Sequence, residues 1–230
     1  MNIVKCRDLV KTFPGQERAV LDGVSLEFET GCFVSIMGRS GSGKSTLLRC
    51  LCGLLPMDSG TVEVAGHDIA AMTAKQQSDF RSGVIGIVFQ DNNLVDEFNV
   101  EDNILTPIFI AGARVDREYY ARLLKLTQLE KFKDRFPRQL SGGQRQKVAI
   151  ARALIAKPNI IFADEPTGSL DSKSELEIMD LFKTVNKEFG TSIIQVTHSG
   201  ICAAAGSRTI RINDGKIEGD ELIRGRAKSK

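Results

Sequence analysis

The sequence of 230 residues has no tryptophan, only two tyrosines and only two histidines. A metal site built on a cluster of histidines is therefore excluded. No stretch of 18 apolar residues occurs, so the sequence predicts no helix that crosses a membrane. A large excess of one charge is also missing, because 31 basic and 29 acidic residues leave a net charge of +2. Proteins that mainly neutralise nucleic-acid phosphates usually carry a larger basic excess, so we expect no nucleic-acid partner.

Paired Cys-x-x-Cys spacing is absent as well. The five cysteines are Cys6, Cys32, Cys50, Cys52 and Cys202. Their odd number, and the lack of a signal-peptide core in residues 1–8, lead us to expect reduced thiols in the cytosol. Cys50 and Cys52 could be read as metal ligands. They lie in a helix-like apolar run, however, and small buried apolar residues are the favoured interpretation.

What is present is globular composition, with 42% apolar and 26% charged residues. The length suits one large domain, or one domain with a subdomain. Residues 224–230 form a short basic tail. The tail is interpreted as a solvated chain end, and contact with anionic lipid or RNA is the alternative.

Short β-type runs alternate with helix-like runs along most of the chain. The pattern predicts strands at 33–37, 61–64, 84–89, 160–163 and 193–197, and helices at 44–55, 144–156 and 174–189. Residues 91–139 lose the β pattern and are predicted to be helical, with breaks at Pro107 and Pro137. Strands that alternate with helices indicate an α/β fold with a largely parallel, helix-covered sheet. The middle segment is predicted to be an inserted helical subdomain.

A phosphate-binding loop follows the first of these buried strands. Its residues are Gly38, Arg39, Ser40, Gly41, Ser42, Gly43, Lys44 and Ser45, and Thr46 follows in the helix. The glycines allow backbone N–H groups to face phosphate oxygens, and the helix N-terminus adds partial positive charge. Lys44 is predicted to reach the β- and γ-phosphates, and the Ser45 hydroxyl to coordinate Mg²⁺.

Two carboxylates, Asp164 and Glu165, follow the strand at 160–163. Asp164 is placed to hold the Mg²⁺ shell, either through Ser45 or through water. Glu165 lies one residue further on and is predicted to polarise the attacking water as a general base. Together with the phosphate loop, these acids indicate nucleotide hydrolysis.

The segment Leu140–Gln144, with the sequence Leu-Ser-Gly-Gly-Gln, precedes another predicted helix. A helix N-terminus of this kind is a second candidate anion site. Such a segment is also an ordinary helix-entry turn. Two phosphate-binding segments in one chain suggest that each nucleotide is held between two chains.

Taken together, the phosphate loop, Leu140–Gln144 and Asp164–Asp171 resemble an ATP-binding-cassette (ABC) ATPase, from Val4 to about Ile217. The resemblance implies a P-loop NTPase with a RecA-like parallel sheet core, an N-terminal antiparallel β subdomain and an inserted α-helical subdomain. The chain, 1–230, is then a single ABC ATPase domain. Its predicted parts are the nucleotide-binding core with the β subdomain at 1–90 and 150–220, the helical signature subdomain at 91–149, and the basic tail at 221–230.

The resemblance also assigns individual residues. It implies that Phe13 stacks on adenine, with core filling as the alternative, and that Gln90 is the Q-loop glutamine that acts in catalysis and at the metal. Residues 169–171 match the D-loop, and His198 matches the switch histidine that contacts the γ-phosphate. The signature motif is matched by Ser141, Gly143 and Gln144.

ATP and Mg²⁺ are the cofactors that this family implies. The implied partners are a second ATPase chain, either the same chain or a paralogue, and a membrane permease on whose cytoplasmic side the cassette works. Residues 85–90 and 163–172 are similar to the group that drives lipoprotein release, macrolide export, antimicrobial-peptide resistance and cell-division signalling. Two alternatives are a soluble ABC ATPase acting on DNA or ribosomes and a nucleotide-binding module without turnover. The single cassette without heptads or zinc spacing disfavours the first, and the presence of Lys44, Glu165 and His198 disfavours the second.

Overall fold

The structure is a computed structural model that describes residues 1–223. The basic tail at 224–230 therefore lies outside the described residues. Residues 221 and 222 were predicted to begin the basic tail, but they belong to the last strand.

The described chain alternates strands with helices for most of its length. The strands are β1 (Asn2–Lys11), β2 (Leu21–Glu29), β3 (Phe33–Met37), β4 (Ser59–Val64), β5 (His67–Asp68), β6 (Ile85–Phe89), β7 (Ile160–Asp164), β8 (Ser192–Thr197), β9 (Arg208–Asn213) and β10 (Lys216–Leu222). The helices are α1 (Lys44–Leu51), α2 (Ala74–Val84), α3 (Val100–Ile110), α4 (Arg117–Thr127), α5 (Gly142–Leu154), α6 (Ser172–Phe189) and α7 (Gly200–Ala203).

These strands form two sheets. A four-stranded antiparallel sheet has the order β2-β1-β4-β5, and a six-stranded sheet has the order β10-β9-β3-β8-β7-β6. In the larger sheet β9, β3, β8, β7 and β6 run parallel, and only the edge strand β10 is antiparallel to its neighbour. The predicted parallel core and the predicted antiparallel β subdomain are both confirmed.

The parallel sheet separates two hydrophobic cores. Within β7, Ile160 and Phe162 face the first core, which is shared with α1 and the antiparallel sheet. Ile161 and Ala163 face the second core, which is shared with α3, α4, α5 and α6. Successive side chains of a strand point to opposite faces, so a strand covered on both sides is apolar throughout. This is why residues 160–163 form an uninterrupted apolar run rather than an alternating one.

The predicted break at Pro107 is wrong, because Pro107 lies inside α3. The proline ring removes one backbone donor. The helix nevertheless continues, since the Ala111 N–H bonds to the Pro107 carbonyl and Ile108 packs against the second core. Pro137 does interrupt the helical pattern, and it begins a short 3-10 turn before α5.

Core packing generates a stability prediction. Phe182 on α6 is fully buried and contacts Phe33 edge to face, with ring centroids 6.3 Å apart. Phe182→Ala is expected to lower the free energy of unfolding by about 3–5 kcal/mol, because a cavity is left behind. Leu176→Ala on the same helix is the control, since Leu176 is 52% exposed and should change stability by less than about 0.5 kcal/mol. Equal losses in urea unfolding would contradict this account of the core.

Candidate nucleotide site

The phosphate loop occupies residues 38–43, between the end of β3 and the start of α1. Gly43 directly precedes α1 with φ of 98°, a left-handed conformation, and a Cβ there would lie 2.7 Å from the Val20 carbonyl oxygen. Only glycine fits this position without distortion. The loop therefore ends at the N-terminus of α1, where unpaired backbone N–H groups attract an anion.

The Lys44 side chain is held against the same loop. Lys44 is 7% exposed, and its Nζ donates to the carbonyl oxygens of Gly38 at 2.9 Å and Arg39 at 2.8 Å. These bonds use two of the three donors of the ammonium group. The third donor and the full positive charge remain for an anion bound in the loop.

Asp164 and Ser45 meet at the carboxyl end of β7, next to the start of α1. Asp164 ends β7, and the Ser45 hydroxyl donates to its Oδ1 at 2.6 Å. Asp164 is 6% exposed, and Arg49 approaches its Oδ2 at 3.4 Å. A hydroxyl and a carboxylate are oxygen ligands of the kind that Mg²⁺ binds together with substrate phosphates. This donor pair therefore fits a magnesium ion, in the place where the sequence predicted one.

No larger metal cluster accompanies this pair. In the part of the chain from 1 to 223, no three His, Cys, Asp or Glu side chains come together as a metal-binding group. Mg²⁺ typically uses one or two carboxylates and completes its shell with phosphates and water, so a single buried aspartate suffices.

Glu165 and His198 form the second polar pair of the site. The Nδ1 of His198 lies 2.9 Å from Glu165 Oε2, and the His198 backbone N–H donates to the same oxygen at 3.3 Å. Glu165 has φ of 48°, an uncommon value for a residue other than glycine. Backbone strain of this kind persists where the surrounding structure enforces it and clusters at functional sites. The strained turn after β7 directs the Glu165 side chain to His198.

Part of the phosphate loop, Glu165 and His198 line one cavity of about 640 Å³, and Asp164 adjoins it through its hydrogen bond to Ser45. Its lining includes Phe13, Lys44, Ser45, Gln90, Glu165 and His198. The volume lies within the range of small-molecule pockets. Residues that the sequence predicted to bind the base, the phosphates and the attacking water thus share one space, although they are up to 185 positions apart between Phe13 and His198.

The signature residues Ser141, Gly143 and Gln144 lie elsewhere and do not line this cavity. Ser141 caps α5 with a reciprocal capping box: its hydroxyl accepts the Gln144 N–H at 3.3 Å, and the Gln144 side-chain oxygen accepts the Ser141 N–H at 2.9 Å. The helix-entry role is therefore real. The N-terminus of α5 can still bind an anion, but that anion would not lie in this chain's own cavity.

Two arginines near the site were missed by the sequence analysis. Arg49 follows Ser45 by four residues on α1, so helical spacing could have placed it beside Asp164. Arg152 on α5 donates to the carbonyl oxygens of Asn93 and Asn92, each at 2.6 Å, and so holds the chain segment that follows Gln90. No local sequence signal points to that second contact.

The cysteines take no part in the cavity. Cys202 is fully buried, with its Sγ 3.0 Å from Thr167 Oγ1 and 3.2 Å from a Glu175 carboxylate oxygen. Burial raises the pKa of the Cys202 thiol to about 11, so the thiol is protonated at neutral pH. The Cys50 and Cys52 side chains are likewise buried in the first core, which confirms the favoured interpretation.

Comparison with known proteins supports the resemblance to ABC ATPases. The family model described as "ABC transporter" matches residues 21–168. The macrolide export ATP-binding/permease protein MacB of Syntrophobacter fumaroxidans is 42% identical over 224 residues, which are 95% of this chain but 31% of that protein. The chain thus spans about a third of that relative's length.

Two further relatives match over nearly their whole length. The lipoprotein-releasing system ATP-binding protein LolD of Leptospira interrogans is 42% identical over 219 residues, which are 93% of this chain and 90% of that protein. A dimeric structure of the ATP-binding cassette MJ0796, in a post-hydrolysis state bound to ADP and Pi, superposes with a TM-score of 0.87 at 40% identity. That likeness covers 96% of this chain and 99% of the MJ0796 chain.

The half-buried Phe13 gives a prediction about nucleotide affinity. Phe13→Ala is expected to weaken ATP and ADP binding by about 1–3 kcal/mol, the size of one base–aromatic stack. Phe13→Tyr keeps an aromatic face and should be nearly silent. Titration calorimetry of the two variants and the wild type checks this, and unchanged affinity in Phe13→Ala would show that Phe13 fills core space instead.

Proposed function

The chain belongs to the ABC transporter family, and from that premise we propose that it binds and hydrolyses ATP to drive a membrane permease. The observation that carries the proposal is the single cavity lined by the phosphate loop, Glu165 and His198, with Asp164 hydrogen-bonded to Ser45 of that lining. The Lys44 ammonium group and a carboxylate, that of Glu165, border the same space. This is the arrangement that phosphoryl transfer to water needs.

Hydrolysis follows from the roles of these residues. The α1 N-terminus and Lys44 hold the β- and γ-phosphates and offset the charge that develops on them. Glu165 accepts a proton from the attacking water while the water oxygen bonds to the γ-phosphorus. At the same time the bond between the γ-phosphorus and the β-phosphate oxygen breaks. In this proposal His198 orients the Glu165 carboxylate through the 2.9 Å contact and donates to the γ-phosphate from the lining of the cavity. ADP and phosphate are the products.

Mg²⁺ fits the same account. Ser45 and Asp164 would hold the ion, and Gln90 would contact it from the lining of the cavity that Ser45 also borders. When bound, the ion would supply positive charge that neutralises part of the negative charge of the phosphates. The Ser45–Asp164 hydrogen bond keeps both side chains at the carboxyl edge of the sheet, where the phosphates would lie.

A second chain completes each site in this proposal. Ser141, Gly143 and Gln144 stand at a helix N-terminus that does not face the chain's own cavity, so they are available to the γ-phosphate of a nucleotide bound by a partner. The described structure of MJ0796, a relative at 40% identity, is dimeric. We therefore propose a head-to-tail dimer, with each ATP between one phosphate loop and one signature segment.

The permease would dock beside Gln90, on the segment 91–98. Val95 and Phe98 are 37% and 40% exposed, while Leu94 packs against the second core, so the segment is partly surface and partly core. Arg152 holds its first residues, which couples the segment to α5. Within residues 1–223 no helix is long and apolar enough to span a bilayer. We propose that the chain attaches to the cytoplasmic face of a membrane through that permease.

The alternative function on DNA or ribosomes has no support from these relatives. Their names describe export and lipoprotein release, which are transport functions of those proteins. We extend a transport role of that kind to this chain. The alternative without turnover lacks support as well, because Lys44, Glu165 and His198 share one cavity.

The catalytic base gives the first test. Glu165→Gln keeps the side-chain shape but cannot take up a proton, so hydrolysis should slow by roughly 10²–10⁴-fold while ATP binding is retained. The variant should accumulate as an ATP-bound dimer, which size-exclusion chromatography with ATP detects. Glu29→Gln, at the exposed end of β2, is the control and should behave as wild type. Wild-type phosphate release by Glu165→Gln would remove Glu165 from the mechanism.

Shared sites give the second test. Lys44→Ala removes a phosphate contact in a chain's own loop, and Ser141→Arg blocks the signature face offered to the partner. Each variant alone should be inactive, because both composite sites of a homodimer are then broken. In a mixed dimer the two defects fall in one site and the other site is intact. Mixing should therefore restore ATPase activity, at most about half of the wild-type rate per mixed dimer.

Subunit exchange must be verified for this experiment by pull-down of differently tagged chains. Mixed dimers that form but stay as inactive as either parent would contradict independent shared sites. Activity in either variant alone would contradict the role assigned to the residue that it changes.

A further inference from the structure

The loop that carries Phe13 joins β1 to β2, and residues 14–18 at its tip are exposed. Two backbone bonds shape it: the Val20 N–H donates to the Lys11 carbonyl at 2.7 Å, and the Gln16 N–H donates to the Phe13 carbonyl at 3.1 Å. Both bonds lie within the loop or at its neck. They close the loop but do not fix where its aromatic residue stands relative to the phosphate loop.

Asp58 supplies contacts from outside the loop. It directly precedes β4, and its backbone N–H donates to the Val10 carbonyl at 3.0 Å. Its Oδ2 accepts the Thr12 backbone N–H at 2.6 Å, and its Oδ1 accepts from Lys11 Nζ at 2.7 Å. One carboxylate thus bonds the two residues that immediately precede Phe13.

The other member of this ion pair is unusually buried. The Lys11 side chain is 11% exposed, whereas that of Asp58 is 43% exposed. The Lys11 Nζ also lies 5.8 Å from the centroid of the Phe13 ring, which is within the range of a cation–π contact. A buried ammonium needs a partner, so Asp58 fixes the position of Lys11 as well as that of the backbone.

The pairing of β1 with β4 fixes Asp58 in turn. Val10 pairs with Ser59, the residue next to Asp58, after an irregularity in the ladder that follows Arg7. Gly60 approaches β1 so closely that an added Cβ would lie 2.6 Å from the Arg7 carbonyl oxygen. Asp58 is therefore held in place by its own backbone bond to Val10 and by the strand pairing of the residue that follows it.

We propose that Asp58 is a positioning residue for base binding: through Lys11 and the Thr12 N–H it holds the Phe13 ring at the wall of the nucleotide cavity. The proposal rests on the proposed binding of ATP in that cavity. Asp58 itself does not line the cavity and acts through Phe13. Asp58 sets how well the Phe13 ring stacks on a base, and it does not affect the phosphate contacts of the loop at 38–45.

The chain contains a matched control for the chemistry of this carboxylate. Asp116 also accepts from a lysine, Lys157 Nζ at 2.7 Å, and from a backbone N–H, that of Tyr119 at 3.0 Å. In both cases the hydrogen bond from the lysine holds the pKa of the aspartate below its ordinary value. Asp116 caps α4 and lies away from the cavity, and asparagine caps helices equally well.

The test is calorimetric titration of the full chain with two probes, Mg-ADP and Mg-tripolyphosphate, which lacks a base. Asp58→Asn removes the charge that faces Lys11 and should raise the Kd for Mg-ADP by about 3–10-fold. A full base stack is equivalent to about 5–150-fold, and the variant misplaces the ring without removing it. The Kd for Mg-tripolyphosphate should stay within about twofold, because that ligand makes no base contact. Asp116→Asn should change neither constant.

The double variant Phe13→Ala/Asp58→Asn shows whether Asp58 acts through the ring. If it does, the double variant binds Mg-ADP no more weakly than Phe13→Ala alone. Additive losses would overturn the proposal, as would an unchanged Kd in Asp58→Asn or equal losses for both probes. A silent Phe13→Ala would instead remove base stacking on Phe13 from the proposed function, which is a separate failure.

Discussion

The register of three neighbouring parallel strands is the constraint on which the site depends. Met37 at the end of β3 pairs with Thr197 at the end of β8, and Asp164 at the end of β7 pairs with Val196. The residues that follow these ends are Gly38, His198 and Glu165. Parallel strands place their carboxyl ends at one edge of a sheet, which is where ligands of open α/β sheets bind. A slip of one residue in β7 would turn Asp164 to the opposite face of the sheet and break its contact with Ser45.

The same constraint explains what could be predicted from the sequence. Buried strands such as 33–37 and 160–163 are apolar on both faces, and a glycine-rich loop or a pair of carboxylates marks where each ends. The phosphate loop, Asp164 and Glu165 could therefore be predicted from the loop pattern and the strand end, whereas Phe13, Gln90 and His198 were predicted from the resemblance to the family. The helix α2 escaped prediction because it buries none of its residues fully and so has no apolar periodicity. The helix break predicted at Pro107 is wrong because the proline removes a single backbone donor near a helix end, and packing compensates for that loss. No local sequence pattern indicates this packing.

Contacts between segments that are far apart in the chain could not be predicted from the sequence either. The helix α5 begins at the Ser141 cap and also holds both sides of Gln90: Gln146 donates to the Phe89 carbonyl at 3.4 Å, and Arg152 bonds the carbonyls of Asn92 and Asn93. Gln146 is 1% exposed, so this contact lies in the interior. Through α5, the segment proposed to meet a partner's nucleotide is therefore connected by hydrogen bonds to the segment proposed to meet a permease. The hydrogen bonds that Asp58 accepts from the Phe13 loop are similar long-range contacts, since Thr12 and Asp58 are 46 positions apart in the chain.

The central claim is that a working site needs two chains, because one chain places its signature segment away from its own cavity. Its most direct measurement is the ATPase rate per wild-type chain as the protein is diluted, with sedimentation recorded at each concentration. The account predicts that the rate per chain falls as the dimer dissociates, and that the fall follows the dimer fraction measured with Mg²⁺ and ATP present. A rate per chain that stays constant while the protein sediments as a monomer would contradict it.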